Sequence, residues 1–70
     1  MKGQDFIRRL RKLARKHEVY VTVDEGRGKG SHVTVYYGSR LTVVPMHSRE
    51  LKPSLLRAMC RDLGISYEDL

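Results

Sequence analysis

The chemistry in this chain centres on one histidine. The loop Gly26-Arg27-Gly28-Lys29-Gly30-Ser31 runs directly into His32, and the alternating segment Val33-Thr34-Val35-Tyr36-Tyr37 follows. An imidazole with an unperturbed pKa of about 6.5 both accepts and donates protons near neutrality. Two cations and several glycine amides beside it are suited to holding a phosphate. RNA carries its own nucleophile, the 2′-hydroxyl next to the scissile phosphate. A cleaving site therefore needs a base, a proton donor and a cation to stabilise the phosphorane. His32 fits the proton-transfer role, with Arg27, Lys29 and Ser31 as phosphate contacts. Against this stands the plainer reading: a histidine at a strand end is more often an ordinary surface residue, and a glycine-rich loop is more often only a connection.

The remaining reactive side chains narrow the choice. The glycine loop matches neither the Walker A pattern nor the dinucleotide fingerprint, which excludes nucleotide hydrolysis on motif grounds. His47 follows the third predicted strand and could approach His32 across a hairpin as a second acid or phosphate ligand, although capping the Met46–Lys52 turn is its commoner role. His17 sits at a helix end, where a partly positive imidazole suits the dipole. Three histidines without ligand-like spacing predict no metal site, and nothing in the sequence asks for a cofactor. Cys60, the single cysteine, borders an apolar stripe and reads as packing; with no possible internal disulfide, a reducing, cytoplasmic setting is expected.

These residues must be positioned by a small body. Seventy residues make one domain, taken as residues 1–70, and a chain of this size buries only about 60% of its unfolded surface. A shallow surface site is expected rather than a closed one. Fourteen Lys and Arg stand against eight Asp and Glu, and half of the cations fall in the first sixteen positions. A one-sided basic surface points to a polyanion. With no Trp and one Phe to anchor an interface, a membrane surface fits less well, and no stretch is long and apolar enough to span a bilayer.

From Gly3 to Lys16, residues Phe6, Ile7, Leu10, Leu13 and Ala14 share one helical stripe. Arg8, Arg9, Arg11, Lys12, Arg15 and Lys16 cover the other side. Arg8, Arg9 and Lys12 are the candidates for tracking an RNA backbone. Period 2 then takes over at Val19, Val21 and Val23, returns at Val33, Val35 and Tyr37, and ends with Leu41, Val43 and Pro45 alternating with Thr42 and Val44. This period sets His32 on the face opposite the Val33–Val35 side. Gly38-Ser39 predicts a tight hairpin with glycine first. Pro53 opens a second helix with Leu55, Leu56, Met59 and Leu63 as its stripe, Gly64 stops it, and Ser66 with Asp69 could cap one more turn. The expected fold is a two-layer α+β sandwich, α-β-β-β-α, with a three-stranded antiparallel sheet and two helices on one face.

Over nearly its whole length the chain resembles the HicA toxins, mRNA interferases of bacterial and archaeal toxin–antitoxin pairs. The resemblance rests on Met1-Lys2-Gly3 ahead of the amphipathic helix, Lys29-Gly30-Ser31-His32, Val44-Pro45-Met46-His47, Glu50-Leu51-Lys52, and Leu56-Arg57 before Gly64-Ile65-Ser66. It implies a double-stranded-RNA-binding-like fold, His32 as the catalytic histidine of the Gly-Ser-His motif, mRNA as substrate, and a HicB-like antitoxin that covers the site. Val33 stands where many relatives carry a second histidine. The expected activity is a metal-independent, ribosome-independent endoribonuclease. Two other classes share the fold and charge: a non-catalytic RNA-binding module recognising A-form shape, and an interaction protein whose basic helix meets only an acidic partner.

Overall fold

A computed structural model of the chain describes residues 1–26, 30–46 and 50–70. The elements are α1 (Gly3–His17), β1 (Val21–Asp24), β2 (His32–Tyr37), β3 (Arg40–Pro45) and α2 (Pro53–Leu63), closed by a 3₁₀ turn at Tyr67–Asp69. The three strands form one antiparallel sheet in the order β1-β2-β3. Both helices bury their apolar stripes with the valine face of the sheet, so the expected α+β order and layering hold.

Helix α1 buries Phe6, Ile7, Leu10, Leu13 and Ala14 and turns its cations outward. Its first turn is closed by Asp5, whose carboxylate accepts from the Lys2 amide at 3.2 Å. That hydrogen bond, opposed by burial and reinforced by the neighbouring Arg8 guanidinium, holds the Asp5 carboxyl below its ordinary range. At the other end Glu18 adopts the left-handed conformation, with φ of 56°, and lets the Val19 amide donate back to the Ala14 carbonyl at 2.8 Å. This explains why β1 begins later than the valine alternation predicts. The Val19 amide is committed to capping the helix, and strand pairing starts at Val21.

The β2–β3 hairpin closes through Gly38-Ser39, with Tyr37 opposite Arg40. Gly38 alone of the two has positive φ, 62°, as a turn with glycine in first position requires. Fully buried side chains come from every layer: Phe6 and Leu10 of α1, Val35 and Val44 of the sheet, and Met59, Cys60 and Leu63 of α2. Burial pushes the Cys60 thiol pKa up, away from the thiolate a nucleophile would need. Helix α2 begins with Pro53 and stops at Gly64, whose φ is 71°. It is tied to β3 at Asp62: the backbone carbonyl accepts from Arg40 Nε at 3.0 Å and the carboxylate from Thr42 Oγ1 at 2.9 Å. At Ser66, one 3₁₀ turn forms with the hydroxyl accepting from the Glu68 amide. Arg57 lies over the Tyr67 ring at 5.6 Å and holds that turn against α2.

One close approach matters for the site. Gly3 is buried against the end of β3, where an added methyl would enter the Pro45 carbonyl oxygen and stand 2.9 Å from the Met46 sulfur. The start of α1 is thus pinned under the strand end that pairs with His32.

Candidate functional site

His32 is the first residue of β2 and is exposed. Its backbone is not loose. It stands opposite Pro45 in the β2–β3 ladder, and the ladder continues one residue further, with the Met46 amide donating to the Ser31 carbonyl at 2.6 Å. The side-chain alternation of a strand then sets its direction: Val33 is buried under the helices, so His32 lies on the side of the sheet that no helix covers. An imidazole is thereby held at the end of a paired strand, on an exposed residue.

The same alternation assembles the rest of that open face. Thr34 and Tyr36 follow His32 along β2, opposite Asp24 and Thr22 of β1 on one flank and Val43 and Leu41 of β3 on the other. Leu41 and Val43 are each about half exposed, whereas Thr42 and Val44 turn inward. Tyr20, ahead of β1 and two residues from Thr22, is 90% exposed. Sequence reading took β3 as simple alternation and left its facing unassigned. The signal was available in the two-residue turn, because pairing Tyr37 with Arg40 forces Leu41, Val43 and Pro45 onto the His32 side.

The predicted cations fall elsewhere. Arg8, Arg9 and Lys12 lie exposed on α1 and line a groove of about 400 Å³ against Leu70. Arg8 is engaged by the Asp5 carboxylate at 2.5 Å, and Arg9 donates to the Leu70 carbonyl at 3.5 Å. They belong to the helix layer, while His32 belongs to the bare sheet face. The structure brings Ser31 together with His32 but sets the α1 cations on another surface, with the Gly3–Pro45 contact joining the two at one end. Arg27, Lys29 and His47 lie outside the described residues.

Among the described residues, no group of three or more His, Cys, Asp or Glu side chains is gathered to hold a metal ion. Nor is any helix among them long and apolar enough to cross a membrane. No curated protein and no solved structure matches the chain. The family model described as HicA toxin of bacterial toxin–antitoxin matches residues 3–65, a span that takes in both helices, the whole sheet and His32. The chain therefore belongs to the HicA toxin family, the toxin half of a toxin–antitoxin system, and so implies an antitoxin as its partner.

Proposed function

We propose that this toxin is a metal-independent mRNA endoribonuclease in which His32 performs the proton transfer, and that a HicB-like antitoxin neutralises it. The observation that carries the reading is the position of His32: exposed, on the helix-free face, and held in the β2–β3 ladder opposite Pro45, with the Ser31–Met46 hydrogen bond beside it. Neutral His32 takes the 2′-hydroxyl proton, O2′ forms its bond to phosphorus, and the P–O5′ bond breaks. Water reaches this open site and protonates the departing O5′; His47 is the side chain that would share that role. The products are a 2′,3′-cyclic phosphate and a free 5′-hydroxyl. Arg27, Lys29 and Ser31 contact the phosphate, and Arg8, Arg9 and Lys12 hold flanking backbone where the RNA passes round the Gly3–Pro45 end.

The separation of the α1 cations from His32 favours one second reading, a non-catalytic module that binds RNA through its helix layer. A single experiment separates the two. Wild-type and His32→Ala proteins, both shown folded by circular dichroism, are incubated with an end-labelled single-stranded mRNA fragment in EDTA. The nuclease reading expects cleavage to a cyclic phosphate by wild type, a loss of about 10²–10⁴ in rate for His32→Ala, and nearly equal RNA affinity. Binding without cleavage by either protein leaves the module.

A further inference from the structure

We infer that the bare sheet face is a base-stacking platform for single-stranded RNA, with Tyr36 and Tyr20 as its stacking residues. The inference rests on the proposed nuclease reading only for where the scissile phosphate lies.

Tyr36 projects from the central strand on the same face as His32 and four residues further along, about 13 Å at strand rise. A short extended oligonucleotide spans that separation. Tyr20 stands beyond Thr22, diagonally across from Tyr36, at the distance where aromatic side chains on neighbouring strands reach a common ligand. Its exposure of 90% means that packing within the monomer does not explain an aromatic ring there. Leu41 and Val43 complete an apolar floor on the β3 side over the buried Thr34, while Thr22 supplies a hydroxyl for base edges and Asp24, whose Oδ1 accepts from the Gly26 amide at 3.0 Å, a carboxylate.

Beyond the phosphate contacts proposed for Arg27 and Lys29 beside His32, the charges along the sheet decide the kind of nucleic acid. Tyr20, Thr22, Asp24, His32, Thr34, Tyr36, Leu41, Val43 and Pro45 include no Lys or Arg, in a chain of net charge +6. A duplex presents phosphates, and these described residues offer them no cation while Asp24 repels them. A single strand presents base faces, which stack on tyrosine with little regard to sequence. The helix layer, where Arg8, Arg9 and Lys12 stand, is the side suited to phosphates, and it is separated from this face by a helix thickness of about 10–12 Å. Substrate selection on the His32 side is therefore by strandedness rather than by duplex shape.

The test uses His32→Ala as background, so that binding is read without cutting. Affinity is measured by fluorescence anisotropy for a single-stranded oligonucleotide and for the same sequence annealed to its complement. A 2-aminopurine placed within the strand reports stacking by quenching. The single strand is expected to bind tighter than the duplex and to be quenched. Tyr20→Ala and Tyr36→Leu are each expected to weaken single-strand binding by about 5- to 150-fold and to relieve quenching. Tyr20→Phe, which keeps the ring, is expected to retain both, which assigns the effect to ring stacking rather than to the phenol hydroxyl. Since Tyr20 is almost fully exposed, its variants test the idea even where Tyr36→Leu fails to fold. Unchanged affinity and quenching in the Tyr20 variants, or preference for the duplex, overturns the inference and leaves the face to a protein partner. Failure of wild type to cut RNA would defeat the nuclease reading without altering this binding result.

Discussion

Replacing Gly3 with alanine should destabilise this protein, against the usual effect of that change in a helix. Alanine in place of glycine ordinarily gains about 0.5–1 kcal/mol, because glycine loses more backbone freedom on folding. Here the new methyl enters the Pro45 carbonyl oxygen and comes within 2.9 Å of the Met46 sulfur and 3.3 Å of the Pro45 carbonyl carbon. The sulfur ends a flexible side chain and can give way. The carbonyl belongs to a strand held in register with His32 and cannot, so α1 must lift away from the sheet. Overpacking of this kind costs about 1–3 kcal/mol, and a backbone obstacle puts it at the upper end. The net loss is then about 2 kcal/mol in a domain whose whole stability is on the order of 3–5 kcal/mol. At about 4–8 °C per kcal/mol, the melting temperature should fall by about 8–16 °C. Thermal melts followed by circular dichroism, with urea titrations at fixed temperature, measure this directly. Gln4→Ala, one residue along on the exposed side of the same helix, serves as the control and should change little. A Gly3→Ala protein that melts at or above the wild-type temperature would refute the reasoning, because the α1–β3 contact would then have room it is not shown to have.

Two further effects concern the ends of α1. The Asp5 carboxyl is held below 3.8 by the Lys2 amide, against burial and with help from Arg8, so its contribution is fully present above that value and disappears as pH falls through the lowered one. The difference in melting temperature between wild type and Asp5→Asn should accordingly be constant from about pH 7 to about pH 5 and close towards about pH 2; a difference independent of pH across that range counts against it. Glu18→Gly should raise stability by about 0.5–1 kcal/mol, because glycine occupies the left-handed conformation without the penalty a side chain incurs there, less its greater freedom when unfolded. Melts of the variant check this, and a lowered melting temperature would mean that the Glu18 side chain contributes more than its backbone conformation costs.

The amino-acid pattern carried most of the architecture because the two periods are distinct and well punctuated. The α1 and α2 stripes, the Gly38-Ser39 turn, Pro53 and Gly64 all fall where local chemistry places them. The side of the sheet on which His32 lies was legible too, through the burial of Val33 and Val35 under the helices. What escaped sequence reading arises between elements. Nothing local marks Glu18 as a left-handed residue; that conformation is imposed by α1 turning sharply into β1. Gly3 looks like a weak helix start until Pro45 is found above it. The pattern predicts that Arg8, Arg9 and Lys12 track an RNA backbone, but how far they stand from His32 is set by the packing of α1 on the sheet. Folding sends them to a different layer, since an amphipathic helix must turn its charges away from the very sheet it packs on.

The thinness of the core has a genetic consequence. Among the described residues seven large side chains are fully buried, and truncating the larger of them removes about 2–5 kcal/mol, as much as the domain has. For most enzymes that margin is a vulnerability to be guarded. For a toxin it widens the set of single changes by which a cell can silence it. Lineages that survive loss of the antitoxin would then carry lesions scattered through Phe6, Leu10, Val35, Val44, Met59 and Leu63 as readily as at the proposed catalytic position, His32. A map of survivors would outline the interior of the protein before it outlined the chemistry, and only silenced copies that remain folded would point to the surface that does harm.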